Sequence, residues 1–176
     1  GRGTVYVAKS SSVAIDVLAT GRMTSLGGIP TPDCHAPTGL DLDPVGRRLF
    51  VACSNGRALV IDTDMGFAFE QLPIQNATGL RTVFAFHPNG PGGWKGGAFI
   101  AGDGSELDAL RMNAFISYTG AGAIPLPGRA AALAVSPQAG QIWIALAPAD
   151  GATSANEVRQ SSGVEILALA LGGGSQ

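Results

Sequence analysis

Seven residues of this 176-residue chain could carry chemistry: Asp33, His35, Arg57, Arg81, Asp103, Glu106 and Arg129. A histidine among carboxylates can act as a general base or hold a metal. His35 stands two residues after Asp33, and Asp103 and Glu106 share the segment GDGSE. No spacing enforces that pairing, so a solvated loop histidine is the leading account. The three arginines could together grip an anionic ligand, because a guanidinium offers a fixed fork of donors to a carboxylate or phosphate. Scattered solvent-facing charge is the simpler reading. Cys34 and Cys53 are the only cysteines. A disulfide between them would suit an oxidising compartment, and a pair of buried thiols is the equal alternative. Two cysteines and two distant histidines form no zinc pattern. G-x-S-x-G, Walker and G-x-G-x-x-G signatures are missing too. We therefore assign no catalytic residue, metal ligand or cofactor.

What must position these residues follows from composition and repetition. With 45% hydrophobic residues, 26 glycines, 11 prolines and only 14% charged residues, the chain suits many short strands joined by tight turns. The net charge is −2 and the 11 Lys and Arg are scattered, which argues against nucleic acid as a partner. No apolar run approaches the ~18 residues that span a bilayer, so membrane insertion is not expected. The chain opens on GRGTVYV without a signal-peptide pattern.

Four segments stand in one column: TVYVAKSS, RLFVACSN, GAFIAGDG and QIWIALAP. An aromatic residue, a Val or Ile and an Ala recur in each, with Tyr6, Phe50, Phe99 and Trp143 spaced 44, 49 and 44 residues apart. β-Branched and aromatic residues bounded by Gly, Asn and Ser predict strands. GLDLDPVG, VFAFHPNG and LAVSPQAG precede the last three copies and read as hairpins, with Pro presetting one dihedral and Gly taking a positive φ. A third strand follows in ALVIDTDMG and VAIDVLATG. A fourth is plausible in RMTSLGGIP and FAFEQLPIQ and fainter in AFISYTGAGAIPLPG. Antiparallel strands recurring at this period predict an all-β chain, a β-propeller of about four blades. Residues 1–171 form its single domain, and GGGSQ (172–176) is a Gly/Ser-rich tail.

The unit HAPTGLDLDPVGRRLFVACSNGRALVIDTDMG (His35 to Gly66) resembles the YVTN-type β-propeller repeats of bacterial surface and secreted proteins. In those, GL-LDP-GRRLFV- is followed by VIDT-TG. The resemblance runs through all four repeats, tight in the second and loose in the third, where ELDALRMN lacks the Ile-Asp-Thr pattern. It implies a fold and no activity. Members usually close rings of about seven blades, whereas this chain holds about four. By strand count the first blade starts at its second strand, and the last ends after GVEILALAL. An arc of this kind exposes apolar faces, and two chains arranged head to tail would cover them. A homodimer is therefore expected; a fragment of a longer propeller is the alternative.

Propeller topology gathers the loops PTPDCHAP, SNGR, QNATGLR, GDGSE and PADGATSANEVRQSSG at one end, which becomes the expected binding face. NAT (Asn76 to Thr78) fits a glycosylation pattern, His87 sits at a turn and Trp94 in a Gly-rich hairpin. The leading expectation is a non-catalytic, self-assembling binding or scaffold module, with a polar loop face for a protein or small molecule. An extracytoplasmic setting, periplasmic or secreted, is favoured. The rival is a propeller enzyme such as a metal-dependent lactone hydrolase or lyase, for which Asp33, His35, Asp103 and Glu106 would have to converge.

Overall fold

The computed structural model describes residues 3–75, 79–86, 96–113, 117–136, 141–147 and 165–170. Asn76 to Thr78, His87, Trp94 and the 148–163 loop lie outside them. Among the described residues there are fourteen strands and no helix. They form four antiparallel sheets, each pairing its strands in chain order. Sheet one holds β1 (Thr4–Ala8), β2 (Ala14–Ala19) and β3 (Thr24–Pro30). Sheet two holds β4 (Pro37–Asp43), β5 (Arg48–Cys53), β6 (Ala58–Asp62) and β7 (Phe67–Gln71). Sheet three holds β8 (Thr82–Phe86), β9 (Gly97–Ala101), β10 (Glu106–Met112) and β11 (Tyr118–Pro125). Sheet four holds β12 (Ala130–Ser136), β13 (Gln141–Leu146) and β14 (Glu165–Ala170).

The sheets stack face to face in chain order, and the aromatic column explains how. Tyr6 and Ala8 of sheet one pack with Leu49 and Val51 of sheet two. The opposite face of sheet two sends Phe50 and Ala52 against Ala98 and Ile100 of sheet three. That sheet in turn sends Phe99 and Ala101 against Ile142 and Ile144 of sheet four. A strand covered on both sides needs apolar residues at every position, so β5 and β9 are unbroken apolar runs after their first residue. Phe50 is 1% and Phe99 2% exposed. Burial of each side chain is worth ~1.5–3 kcal/mol. Trp143 occupies the same repeat position and is 42% exposed.

The inner strands also lie against one another, β1 with β4, β4 with β8 and β8 with β12. Gly39 permits the middle approach, since a Cβ there would stand 2.8 Å from the Arg81 carbonyl oxygen. The faint fourth strand of the third repeat is present as β11, eight residues long. Its bulge opposite Ala109 and Leu110 breaks the alternation that would have marked it in the sequence.

The hairpin turns run on aspartates. Asp43 Oδ1 accepts the N–H groups of Val45 and Gly46 at 3.0 and 2.9 Å. Asp62 Oδ1 accepts those of Asp64 and Met65 at 2.8 and 3.0 Å. One expectation needs correcting: in the DPVGR turn Arg47, not Gly46, takes the positive φ, at 56°. Left-handed backbone is unfavourable for a residue with a Cβ. The turn's Asp43 bonds and the Arg47 carbonyl, which accepts from Thr63 N–H and Oγ1–H, hold it there.

Candidate functional site

Each four-stranded sheet has one end built from the starts of its first and third strands and the ends of its second and fourth. In sheet two these are Pro37, Ala58, Cys53 and Gln71; in sheet three, Thr82, Glu106, Ala101 and Pro125. The expected binding residues cluster at this end. Its centre is Asp103, in the turn after β9.

Arg81 approaches Asp103 with two donors, Nε to Oδ1 at 2.5 Å and Nη2 to Oδ2 at 3.1 Å. Arg129 adds Nη1 to Oδ1 at 3.2 Å. Backbone bonds set both arginines: the Arg81 N–H donates to the Ala101 carbonyl at 3.0 Å, and the Arg129 carbonyl accepts from Ala147 N–H at 2.8 Å. Arg81 and Asp103 belong to sheet three and Arg129 to sheet four, so the group bridges two sheets. Gly79, at φ +58°, makes room, because a Cβ there would lie 2.0 Å from Asp103 Oδ2. The hydrogen bonds from Arg81, reinforced by Arg129, hold the Asp103 carboxyl below its ordinary range against a weaker opposing effect of burial. Two guanidinium groups share one carboxylate. Such exposed pairs stabilise the fold by only ~0–1 kcal/mol each, but the two-donor approach of Arg81 is the geometry of carboxylate recognition.

The other expected residues do not join this group. Arg57 donates from Nη1 to Gln71 Oε1 at 2.6 Å, on sheet two. His35 contributes its backbone: its carbonyl accepts from Ser54 N–H at 3.1 Å and Ser54 Oγ–H at 3.0 Å. The Asp33 carbonyl likewise accepts from Asn55 Nδ2 at 3.0 Å. Asp33 also lines a recess of about 380 Å³ with Pro30, Phe67, Glu70 and Gln71. Glu106 is exposed at the start of β10, opposite Pro125. Cys34 and Cys53 are joined by a disulfide with Cα atoms 5.3 Å apart, both fully buried. The bond ties the 31–36 loop to the end of β5. Among the described residues, no three His, Cys, Asp or Glu side chains form a group that could hold a metal.

Sequence reasoning missed the polar cluster inside the junction of sheets two and three. Tyr118 stacks edge-on against Phe50, ring centroids 5.2 Å apart at 81°. Its backbone N–H donates to Glu70 Oε1 at 3.0 Å. Burial, with the negative charges of Asp43 and Glu70 added, pushes its phenol up to about 12. Arg48 and Asp62 are joined nearby at 2.5 Å. No signal in the sequence separates Tyr118 from an ordinary outer-strand residue.

No protein-family model and no curated protein matches the sequence. In shape the chain is similar to hydrazine synthase of Kuenenia stuttgartiensis, with TM-score 0.69 and 14% identity. It is also similar to a chain of the mitotic checkpoint complex, with TM-score 0.65 and 10% identity. These likenesses cover 85% and 82% of this chain but only 40% and 43% of those chains. Both structures contain propellers, so the chain has an all-β fold resembling propeller-containing proteins. Identities this low speak to fold alone. Among the described residues, no helix is long and apolar enough to cross a membrane.

Proposed function

We propose that this chain is a non-catalytic binding or scaffold module of β-propeller type. Its four sheets serve as four blades, related to the YVTN-type repeats that the His35 to Gly66 unit resembles. The loop end is the binding face, and a small anionic ligand is the chemistry it fits. One observation carries this reading: residues 81, 103 and 129, from separate segments of the chain, meet in one arrangement in which two guanidinium groups hold a single carboxylate. An incoming carboxylate or phosphate would share the arginine donors with Asp103. The Cys34–Cys53 bond supports an oxidising, extracytoplasmic setting. The uncovered faces of sheets one and four support self-association.

The test is a thermal-shift titration of the full chain with inorganic phosphate and with citrate, beside Arg129→Gln. The reading expects at least one anion to raise the melting temperature of the wild-type chain and not that of the variant. If neither anion stabilises the wild type, or if R129Q responds equally, the anion-binding face is wrong.

A further inference from the structure

The stacking rule specifies a fourth junction that the described residues of one copy do not form among themselves. Three times, an aromatic residue and an alanine from one sheet pack on two positions of the next sheet's corresponding strand. The pairings are Tyr6 and Ala8 on Leu49 and Val51, Phe50 and Ala52 on Ala98 and Ile100, and Phe99 and Ala101 on Ile142 and Ile144. Sheet four carries the next donor face, Trp143 and Ala145, bordered by the exposed Ala132 and Ala134 that pair with Ala145 and Trp143 across the ladder. Sheet one carries the matching acceptor positions, Val5 and Val7, in register with Leu49 and Val51 of the repeat. Leu18 stands opposite Val5.

Within one chain these faces do not cover each other. Trp143 is 42% exposed and Val5 38%. Asp16, opposite Val7 on the acceptor strip, is paired with Lys9. Apolar faces of this kind mark contact surfaces.

We infer that the Trp143 face of sheet four docks on the Val5 and Val7 face of sheet one in a second copy of this chain. The inference rests on the self-assembling propeller reading and deepens it by naming the two surfaces. A second copy is the occupant because one partner closes both faces, offering Val5 to one chain's Trp143 and Trp143 to that chain's Val5. The contact is heterologous, and two copies placed head to tail form two such junctions. The aromatic residue then finds at the fourth junction the surroundings that Phe50 and Phe99 have at the second and third.

Thiol cross-linking reads this geometry directly. Val5→Cys and Trp143→Cys are made singly in the full chain, mixed, and treated with a short bis-maleimide; Cys34 and Cys53, disulfide-bonded and buried, are spared. The expected product is a covalent heterodimer of one V5C and one W143C chain, identified by intact mass, with either variant alone giving at least tenfold less dimer. The inference is overturned if no heterodimer forms, or if V5C or W143C links to itself as readily. A third pair, V5C with Val45→Cys on an exposed turn, controls for random collision and must stay unlinked. Failure here leaves the loop face untouched, since anion stabilisation is read on different residues.

Discussion

Phe99 and Trp143 occupy one position of the repeat on neighbouring sheets, yet one is sealed and the other is in water. Phe99 lies under Ile142 and Ile144 of sheet four and is 2% exposed. Trp143, with the same following Ile and Ala, has no further sheet against it among the described residues and is 42% exposed. The difference teaches that in this molecule the strand chemistry is local while burial is supplied by the neighbouring sheet. An apolar side chain on a sheet face stabilises only when a second layer removes it from water.

The largest effect that could break the comparison is truncation of the two aromatics. Phe99→Ala should cost ~3–5 kcal/mol in urea unfolding, the range for a buried aromatic. Trp143→Ala should change stability by no more than ~0.5 kcal/mol when the chain is dilute enough to be single, as exposed surface positions do. Equal losses would mean that the two positions are not distinguished by cover.

Gly79→Ala should cost the junction of sheets three and four ~1–3 kcal/mol, because the added Cβ meets Asp103 and the residue keeps a positive φ. Trp143→Ala offers the contrast again, since it leaves this junction intact. Urea midpoints of the two variants check it.

Smaller effects come from titration. Arg81 and Arg129 hold the Asp103 carboxyl below its ordinary value in the folded state. Its contribution is therefore present above about pH 4 and is lost as pH falls through the folded value. Melting temperature measured from about pH 5 to about pH 3 should fall more for wild type than for Asp103→Asn. Tyr118 acts at the other limit. Its phenol stands at about 12, so the folded state resists ionisation that the unfolded chain accepts near 10. Stability should decline between those values in the wild-type chain and decline less in Tyr118→Phe.

Much of the fold was legible because the aromatic column is written in adjacent residues. Tyr6, Phe50, Phe99 and Trp143 with their Val or Ile and Ala neighbours state a strand locally, and sheet stacking repeats it. The GLDLDPVG hairpin was legible too, although the sequence pattern assigned its positive φ to Gly46 when the four-residue connection puts it on Arg47. β11 was faint because a bulge and two glycines, Gly120 and Gly122, interrupt its alternation. At the candidate site, the sequence could nominate Arg81, Asp103 and Arg129 but not join them. Their meeting depends on Gly79 leaving space and on sheet four stacking against sheet three, both tertiary facts. His35 and Asp33 were nominated for their side chains, and the structure uses their carbonyls in fastening the loop.

Sedimentation equilibrium of the full chain over a range of concentrations tests the central claim that the Trp143 face is an uncovered member of a repeating stack. The account predicts a mass rising to twice 17.7 kDa, and a Trp143→Glu variant that stays at the single-chain mass with an unchanged β-sheet circular dichroism spectrum. A wild-type chain that remains at the single mass throughout, or a W143E variant that still doubles, contradicts it.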